Sequence, residues 1–188
     1  MYALRVALIG DGAVGKTSIR KRFMGEGFIV NYQATIGADF SAKKVYLPNG
    51  EEVEFQIWDL AGQPSYESVR PIYYHGSMGA LVIYDLTRKS TFENIMLWVN
   101  ELWKNTGTGK VPIILLGNKA DLIEASPDSI PLEEGEELAN QLTKETEEIY
   151  SKVVFYATSA KTGQNIDEAF IQLAQMIIKY FKKKRKIK

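Results

Sequence analysis

The stretch GDGAVGKT, Gly10 to Thr17, places three glycines, a lysine and a threonine within eight residues. It fits two phosphate-binding patterns. Gly10, Gly12 and Gly15 give G-x-G-x-x-G, a dinucleotide fingerprint; Gly10 with Gly15, Lys16 and Thr17 gives G-x-x-x-x-G-K-[ST], a P-loop. The first pattern requires a second parallel strand ending in an acidic residue that binds the ribose. Here the stretch after the first helical segment is polar, and the nearest candidate, Asp39, begins a strand rather than ending one. The second pattern is the better supported. Its glycines let the backbone turn tightly and aim amides at an anion, at a helix N-terminus. Lys16 adds a mobile positive charge for the β- and γ-phosphates, and Thr17 offers a hydroxyl to Mg²⁺. A plain strand–turn–helix corner would not need Lys-Thr after its last glycine. Gly12, Ala13, Val14, Gly15, Lys16, Thr17 and Ser18 are therefore the candidate phosphate-binding residues.

The base is chosen elsewhere. NKAD, Asn118 to Asp121, follows the strand-like run VPIILLG, at the carboxyl edge where ligands bind in such sheets. Guanine presents an N1–H beside a 2-amino group; one carboxylate accepts from both, and adenine lacks that pair. Asp121 suits this role, with Asn118 and Lys119 beside it. DLAGQ, Asp59 to Gln63, follows another strand. Asp59 can hold Mg²⁺ through a water, Gly62 can offer an amide to the γ-phosphate, and Gln63 can orient the attacking water. Thr35, in the polar segment, can complete the metal shell. Lys16, Thr35 and Gln63 are the candidate catalytic residues. In TSAKTG, Thr158 to Gly163, Ser159 and Ala160 sit where a backbone amide could meet the guanine O6, and Lys161 could lay its stem by the base. Outside the P-loop, each motif alone is ordinary loop chemistry; their order and positions give them weight.

These residues need strand ends and helix starts to hold them. Strand-like and helix-like segments alternate, which predicts an α/β fold with a mainly parallel sheet. LRVALIG, ALVIYDL and VPIILLG are apolar runs typical of strands buried on both faces. A helix is expected from Lys16, with Ile19 and Phe23 inward. DFSAKKVYL and EVEFQIWD read as a hairpin joined by PNG; Val53, Phe55 and Ile57 alternate with Glu52, Glu54 and Gln56. Ser90 and Glu93 form a capping-box pattern opening a helix with Phe92, Ile95, Val99, Leu102 and Trp103 on one face. A glutamate-rich helix is expected over about 132–148, then the strand KVVFYAT. Asn165 and Glu168 open a final helix with Ile166, Ala169, Phe170, Leu173 and Ile177 inward. The expectation is six strands, one of them antiparallel, and about five flanking helices.

Composition narrows the classes. There is no cysteine and one histidine, His75, so thiol chemistry, thiolate metal sites and lipidation of a cysteine among these residues are excluded. A histidine-based metal site or triad is not expected. The apolar runs fall short of the roughly 18 residues of a membrane span, and the N-terminus enters a strand pattern at once, unlike a leader. A cytoplasmic location is expected. Net charge is zero, with 23 basic and 23 acidic residues. KKKRKIK, residues 182–188, holds six of the basic ones; the remaining 17 against 23 acidic leave a body of −6. Residues 1–181 are expected to form one domain and 182–188 a basic tail. Such a tail can attract anionic lipid at about 1 kcal/mol per basic residue, or be a solvated helix end; a seven-residue tail on an acidic body argues against nucleic acid.

These five motifs, in this order and spacing, resemble the small Ras-like GTPases over residues 3 to about 181. ATIGADF, FQIWDLAGQ, YYHGS and LVIYDLT are similar to segments of the Rab branch. The resemblance implies a monomeric GTP-binding switch that hydrolyses GTP to GDP with Mg²⁺ in signalling or membrane trafficking. It implies an exchange factor and a GTPase-activating protein. Phe28 would lie edge-on to the guanine and Tyr32 would close over the phosphates. Residues about 27–40 and 60–76 would be the switch segments, and Phe40, Trp58 and Tyr73 would present nucleotide state to effectors while also packing on the core. Four departures stand out, the largest being a basic tail without the cysteines that carry prenyl groups at the end of Rab proteins. Leu60 replaces the usual threonine and Pro64 the usual glutamate after Gln63. The region between NKAD and TSAK, containing IEASPDSIP and LTKETEEIYSK, is longer than usual. Because a residue before proline is pushed from the α region, a restricted backbone is expected at Gln63. Two other readings remain: a guanine-nucleotide-bound interaction module with negligible hydrolysis, left open by Pro64 and opposed by Gln63, and a P-loop ATPase or kinase, opposed by Asp121.

Overall fold

The computed structural model describes residues 1–28, 34–146 and 152–186. Six strands, β1 (Tyr2–Ile9), β2 (Ala38–Tyr46), β3 (Glu52–Leu60), β4 (Gly79–Asp85), β5 (Ile113–Asn118) and β6 (Val154–Thr158), form one sheet. Their order is β2-β3-β1-β4-β5-β6. Only β2 runs antiparallel, pairing with β3 so that Phe40 lies opposite Trp58. The alternation foreseen in β3 holds, with Val53, Phe55 and Ile57 buried. The Leu47–Glu51 turn closes through Gly50, whose φ is 81°. Every residue of β4 and β5 is buried, as continuous apolar runs in a parallel sheet require.

Six α-helices are described: α1 (Lys16–Met24), α2 (Arg70–Tyr74), α3 (Lys89–Glu93), α4 (Ile95–Asn105), α5 (Leu132–Thr146) and α6 (Ile166–Lys186). The single helix foreseen from Ser90 to Trp103 is two pieces meeting at Asn94, whose ψ of −4° breaks the regular turn. The capping box is a correction. Arg88, in extended conformation, occupies the cap position of α3 without a side-chain cap, and Ser90 lies inside the helix. Thr91 does the local bonding instead: its Oγ1 donates to the Arg88 carbonyl at 2.7 Å and accepts from the Asp85 amide at 3.0 Å. Asn165 does precede α6, but its side chain donates to the Ala157 carbonyl (2.8 Å). The end of the glutamate-rich helix beyond Thr146 lies outside the described residues. The basic segment begins as a continuation of α6, where Lys182 pairs with Glu51 at 3.3 Å.

The core between α1, α6 and the sheet is aromatic. Phe23 stacks on Phe170 with centroids 3.7 Å apart, and Phe55 meets both edge-on at 5.4 Å. All five apolar residues foreseen on α6 are buried. This cluster fixes α1, and with it the glycine-rich loop that leads into its start. Phe170→Ala is expected to cost about 3–5 kcal/mol, read as a lower urea midpoint at unchanged slope; a loss below about 1 kcal/mol would show that the cluster does not anchor the helices.

Candidate functional site

The chain leaves β1 at Ile9, turns through Gly10 to Gly15 and enters α1 at Lys16. Two of the glycines are compelled. Gly10 and Gly15 have φ of 139° and 102°, and a Cβ there would lie 2.0 Å from the Ile83 carbonyl oxygen and 2.2 Å from Asn118 Nδ2. Ala13 adopts φ of 62°, rare for a residue with a side chain. The loop carbonyls are met by side chains. Lys16 Nζ donates to the carbonyls of Gly10 (2.8 Å) and Asp11 (2.7 Å). Arg88 Nη2 donates to that of Gly12 (2.8 Å) and Asn118 Nδ2 to that of Val14 (2.8 Å). Burial draws the Lys16 ammonium down to a pKa of about 8, against the opposing charges of Asp59 and Asp11.

Three residues expected at a metal come together beside Lys16. Thr17 Oγ1 donates to Asp59 Oδ2 at 2.5 Å and lies 2.9 Å from Thr35 Oγ1. Asp59 is fully buried at the end of β3. Its pKa is raised by burial, opposed by the Thr17 hydrogen bond and the charges of Lys16 and Arg20. Among the described residues its Oδ1 and the Oε1 of Gln63 are buried without a hydrogen-bond partner. Gly62 lies against the loop: a Cβ there would sit 2.4 Å from the Gly10 carbonyl oxygen and 2.6 Å from the Gly12 nitrogen. Gln63 Cγ lies 4.0 Å from where a Gly12 Cβ would be. Gln63 is extended (φ −73°, ψ 145°) and followed by a single 3-10 turn, Pro64–Tyr66, as the restriction before proline requires.

The base-side motifs meet at Asn118. Its Oδ1 accepts from Thr158 Oγ1 and from the Ala160 amide, both at 3.3 Å, while its Nδ2 holds the phosphate loop. One side chain therefore ties NKAD, TSAKTG and GDGAVGKT together. Asp121 Oδ1 accepts from Ser159 Oγ at 2.6 Å, and Lys161 Nζ lies 4.0 Å from its Oδ2. Lys119, with φ of 67°, places its ammonium 2.7 Å from Asp85 Oδ2. Phe28 is partly exposed, and Tyr32 lies outside the described residues. Phe40, Trp58 and Tyr73 form one row, with centroids 5.2 and 5.5 Å apart. Trp58 and Tyr73 pack on the core and Phe40 is exposed.

Several residues of the site carry no motif. Arg70, buried, grips Glu101 through two hydrogen bonds (2.7 and 2.9 Å), donates to the Gln63 carbonyl (3.2 Å) and lies 4.5 Å over the Trp98 ring. Trp98 Nε1 and Asn94 Nδ2 in turn donate to the two carboxylate oxygens of Asp11, at 2.7 and 2.8 Å. Arg5, from β1, lies 4.7 Å from the Trp58 ring and donates to the Tyr73 carbonyl (3.1 Å). Asp85 gathers Lys119, Thr87 and Arg88. Burial alone would raise its pKa; the hydrogen bonds from Lys119 and Thr87 hold it below the ordinary value. The one hint in sequence was an acidic residue closing an otherwise apolar strand.

Comparison with known proteins agrees with this arrangement. A model of the Ras family matches residues 5–179. The chain is 37% identical to the Ras-related protein RABE1e of Arabidopsis thaliana, over 94% of this chain and 75% of that protein. It is 36% identical to Ras-related protein Rab-13 of Rattus norvegicus, over 94% of this chain and 81% of that one. It is 40% identical to RABA5b of Arabidopsis thaliana, over 90% and 72% respectively. A six-stranded sheet with one antiparallel edge strand, a phosphate loop at its centre and these relatives agree: the chain belongs to the Ras family of small GTPases and is Rab-like.

Proposed function

We propose that this protein is a monomeric switch that binds GTP and GDP with Mg²⁺, hydrolyses GTP slowly, and acts in Rab-like membrane trafficking. The observation that carries it is the meeting of Thr17, Thr35 and Asp59 beside the phosphate loop, on the same sheet edge as Asp121. The donor set suits Mg²⁺: two hydroxyls and a carboxylate with one unpartnered oxygen, the hard oxygens that ion prefers. Thr17 and Thr35 would hold it directly and Asp59 through a water. Bound there, the ion would neutralise charge on the β- and γ-phosphates.

The chain's own groups do the rest. Lys16 and the loop amides hold the phosphates, and Gly62 offers its amide to the γ-phosphate. Gln63 orients a water whose oxygen bonds to the γ-phosphorus as the bond to the bridging oxygen breaks, giving GDP and phosphate. Asp121 accepts from guanine N1–H and the 2-amino group, with the Ala160 amide at O6. Effectors would dock on Phe40, Trp58 and Tyr73. The basic end of α6 would touch anionic membrane. Among the described residues no helix is long and apolar enough to cross a membrane. An exchange factor and an activating protein are expected partners.

Titration with fluorescent GDP, competed by ATP, tests the base. Excess ATP should not displace GDP, and Asp121→Asn should weaken GDP by at least about tenfold, the scale of a hydrogen bond to a charged group; equal competition by ATP would sink the guanine reading. Single-turnover GTP hydrolysis tests the catalytic assignment. Arg70 and Pro64 fix the Gln63 backbone, so Pro64→Glu should slow hydrolysis by roughly tenfold through lost positioning. Identical rates would mean that the proline is irrelevant, and no turnover by the wild type would leave a bound interaction module. Sedimentation with phosphatidylserine vesicles should show binding at low salt that fades above about 0.15 M; equal binding to neutral vesicles would rule out the basic helix end as its cause.

A further inference from the structure

The peptide joining Gly12 to Ala13 is held in an uncommon way. Ala13 lies in the left-handed region at φ 62°, which residues with a Cβ seldom occupy unless their surroundings impose it. A peptide group is planar and trans, so the Gly12 carbonyl and the Ala13 N–H point in opposite directions. Fixing one fixes the other. Arg88 Nη2 donates to the Gly12 carbonyl at 2.8 Å, and Arg88 Nε lies 3.0 Å from Asp85 Oδ2. Asp85 cannot drift. Its side chain is 1% exposed, and it accepts from the Thr87 amide and hydroxyl at 2.9 and 2.7 Å. Lys119, of the base-reading motif, lies 2.7 Å from the same oxygen that Arg88 approaches. The Arg88 backbone is fixed too, bonded to the Asp85 carbonyl (3.0 Å) and to Thr91. A continuous path of polar contacts thus runs from Lys119 through Asp85 and Arg88 to the phosphate loop.

We propose that Arg88 is a positioning residue: it locks the Gly12–Ala13 peptide so that the Ala13 amide stays turned toward the phosphates of the bound nucleotide, and it thereby slows nucleotide release. The lock also couples the base-reading side to the phosphate-reading side, since both ends rest on Asp85. This inference rests on the guanine-nucleotide reading above. Arg88 suits a lock better than lysine would, because a planar fork can address a carboxylate and a carbonyl together. Its side chain is 42% exposed, so shortening it leaves no buried cavity and should leave folding intact.

The test is the dissociation rate of fluorescent GDP from the Mg²⁺-loaded full chain. Arg88→Ala should release GDP about tenfold faster, the factor that one hydrogen bond from a charged donor supplies. Arg88→Lys should fall between the two, since an ammonium can serve one partner but not both. Ala13→Gly removes the conformational cost that the lock opposes. In that background Arg88→Ala should change the rate by only about twofold, a non-additivity expected only of residues that act on the same peptide. Additive effects in this cycle, or Arg88→Ala within about twofold of the wild type, would overturn the proposal. Wild-type protein that fails to hold GDP at all would instead overturn the guanine reading itself.

Discussion

A phosphate loop can offer its amides to an anion only if its carbonyls, which point the other way, find donors inside the protein. Here those donors are side chains from three places in the chain. Lys16, the first residue of α1, serves Gly10 and Asp11; Arg88, after β4, serves Gly12; Asn118, closing β5, serves Val14. The loop therefore cannot take its shape alone. It depends on a sheet order in which β4 lies beside β1 and β5 beside β4, so that the residues ending those strands reach it. Gly15 is the clearest mark of this dependence, since a Cβ there would strike the amide group of Asn118.

The same parallel register brings the remaining chemistry to one edge. Leu8 of β1 pairs with Asp59 of β3, and Asp85 of β4 with Asn118 of β5, which pairs in turn with Thr158 of β6. Four strands thus deliver a carboxylate, an amide or a hydroxyl to the rim without any long loop having to place it. The antiparallel β2 has another role. It carries the chain back from the polar segment, so that the Gly37 carbonyl accepts from the Ala61 amide at 2.8 Å and Thr35 comes down on Thr17.

The residues expected at a ligand were legible as short motifs, and those that hold them in place were not. Lys16, Thr17, Asp59, Gln63, Asn118 and Asp121 lie in short motifs whose types and spacing answer directly to phosphate, metal and base. Asp85, Arg88, Arg70 and Trp98 answer only to other parts of the protein, over separations such as the 76 residues between Gly12 and Arg88, and apart from the acidic end of an apolar strand at Asp85 nothing local marks them. The fold was legible for a related reason. Buried strands and the apolar face of α6 are written as period and run length, and the restriction at Gln63 is a nearest-neighbour effect. The break at Asn94 was not legible, because that side chain is recruited by Asp11, a residue 83 positions away. The capping box failed on similar grounds: Arg88 is drawn to Asp85 and Gly12, and the helix starts one residue before Ser90.

Among the described residues, the two segments expected to respond to nucleotide are anchored differently. Beyond Gln63 the second is tied down at points away from the nucleotide. Arg70 is locked to Glu101 in a largely buried two-pronged pair, the Tyr73 carbonyl is held by Arg5, and the Gly76 amide by the Thr106 carbonyl. In the first, among the described residues, Thr35 meets Thr17 through its hydroxyl and Gly37 meets Ala61 through one backbone bond, while Ala38 to Phe40 are held in the β2–β3 ladder and Asp39 pairs with Arg20 at 2.7 Å. Releasing the second segment means breaking a buried ion pair, which leaves charges uncompensated and is costly. Releasing Thr35 alone means giving up a contact of the kind worth about 1 kcal/mol. Thr35 is therefore the more easily released of the two points near the loop, while Gln63 is kept beside it by Arg70 and by the proline that follows. In the aromatic row, Phe40 and Trp58 face each other across the β2–β3 ladder, and Tyr73 belongs to the segment that Arg5 and Arg70 tie down, so the row joins the sheet edge to the second segment.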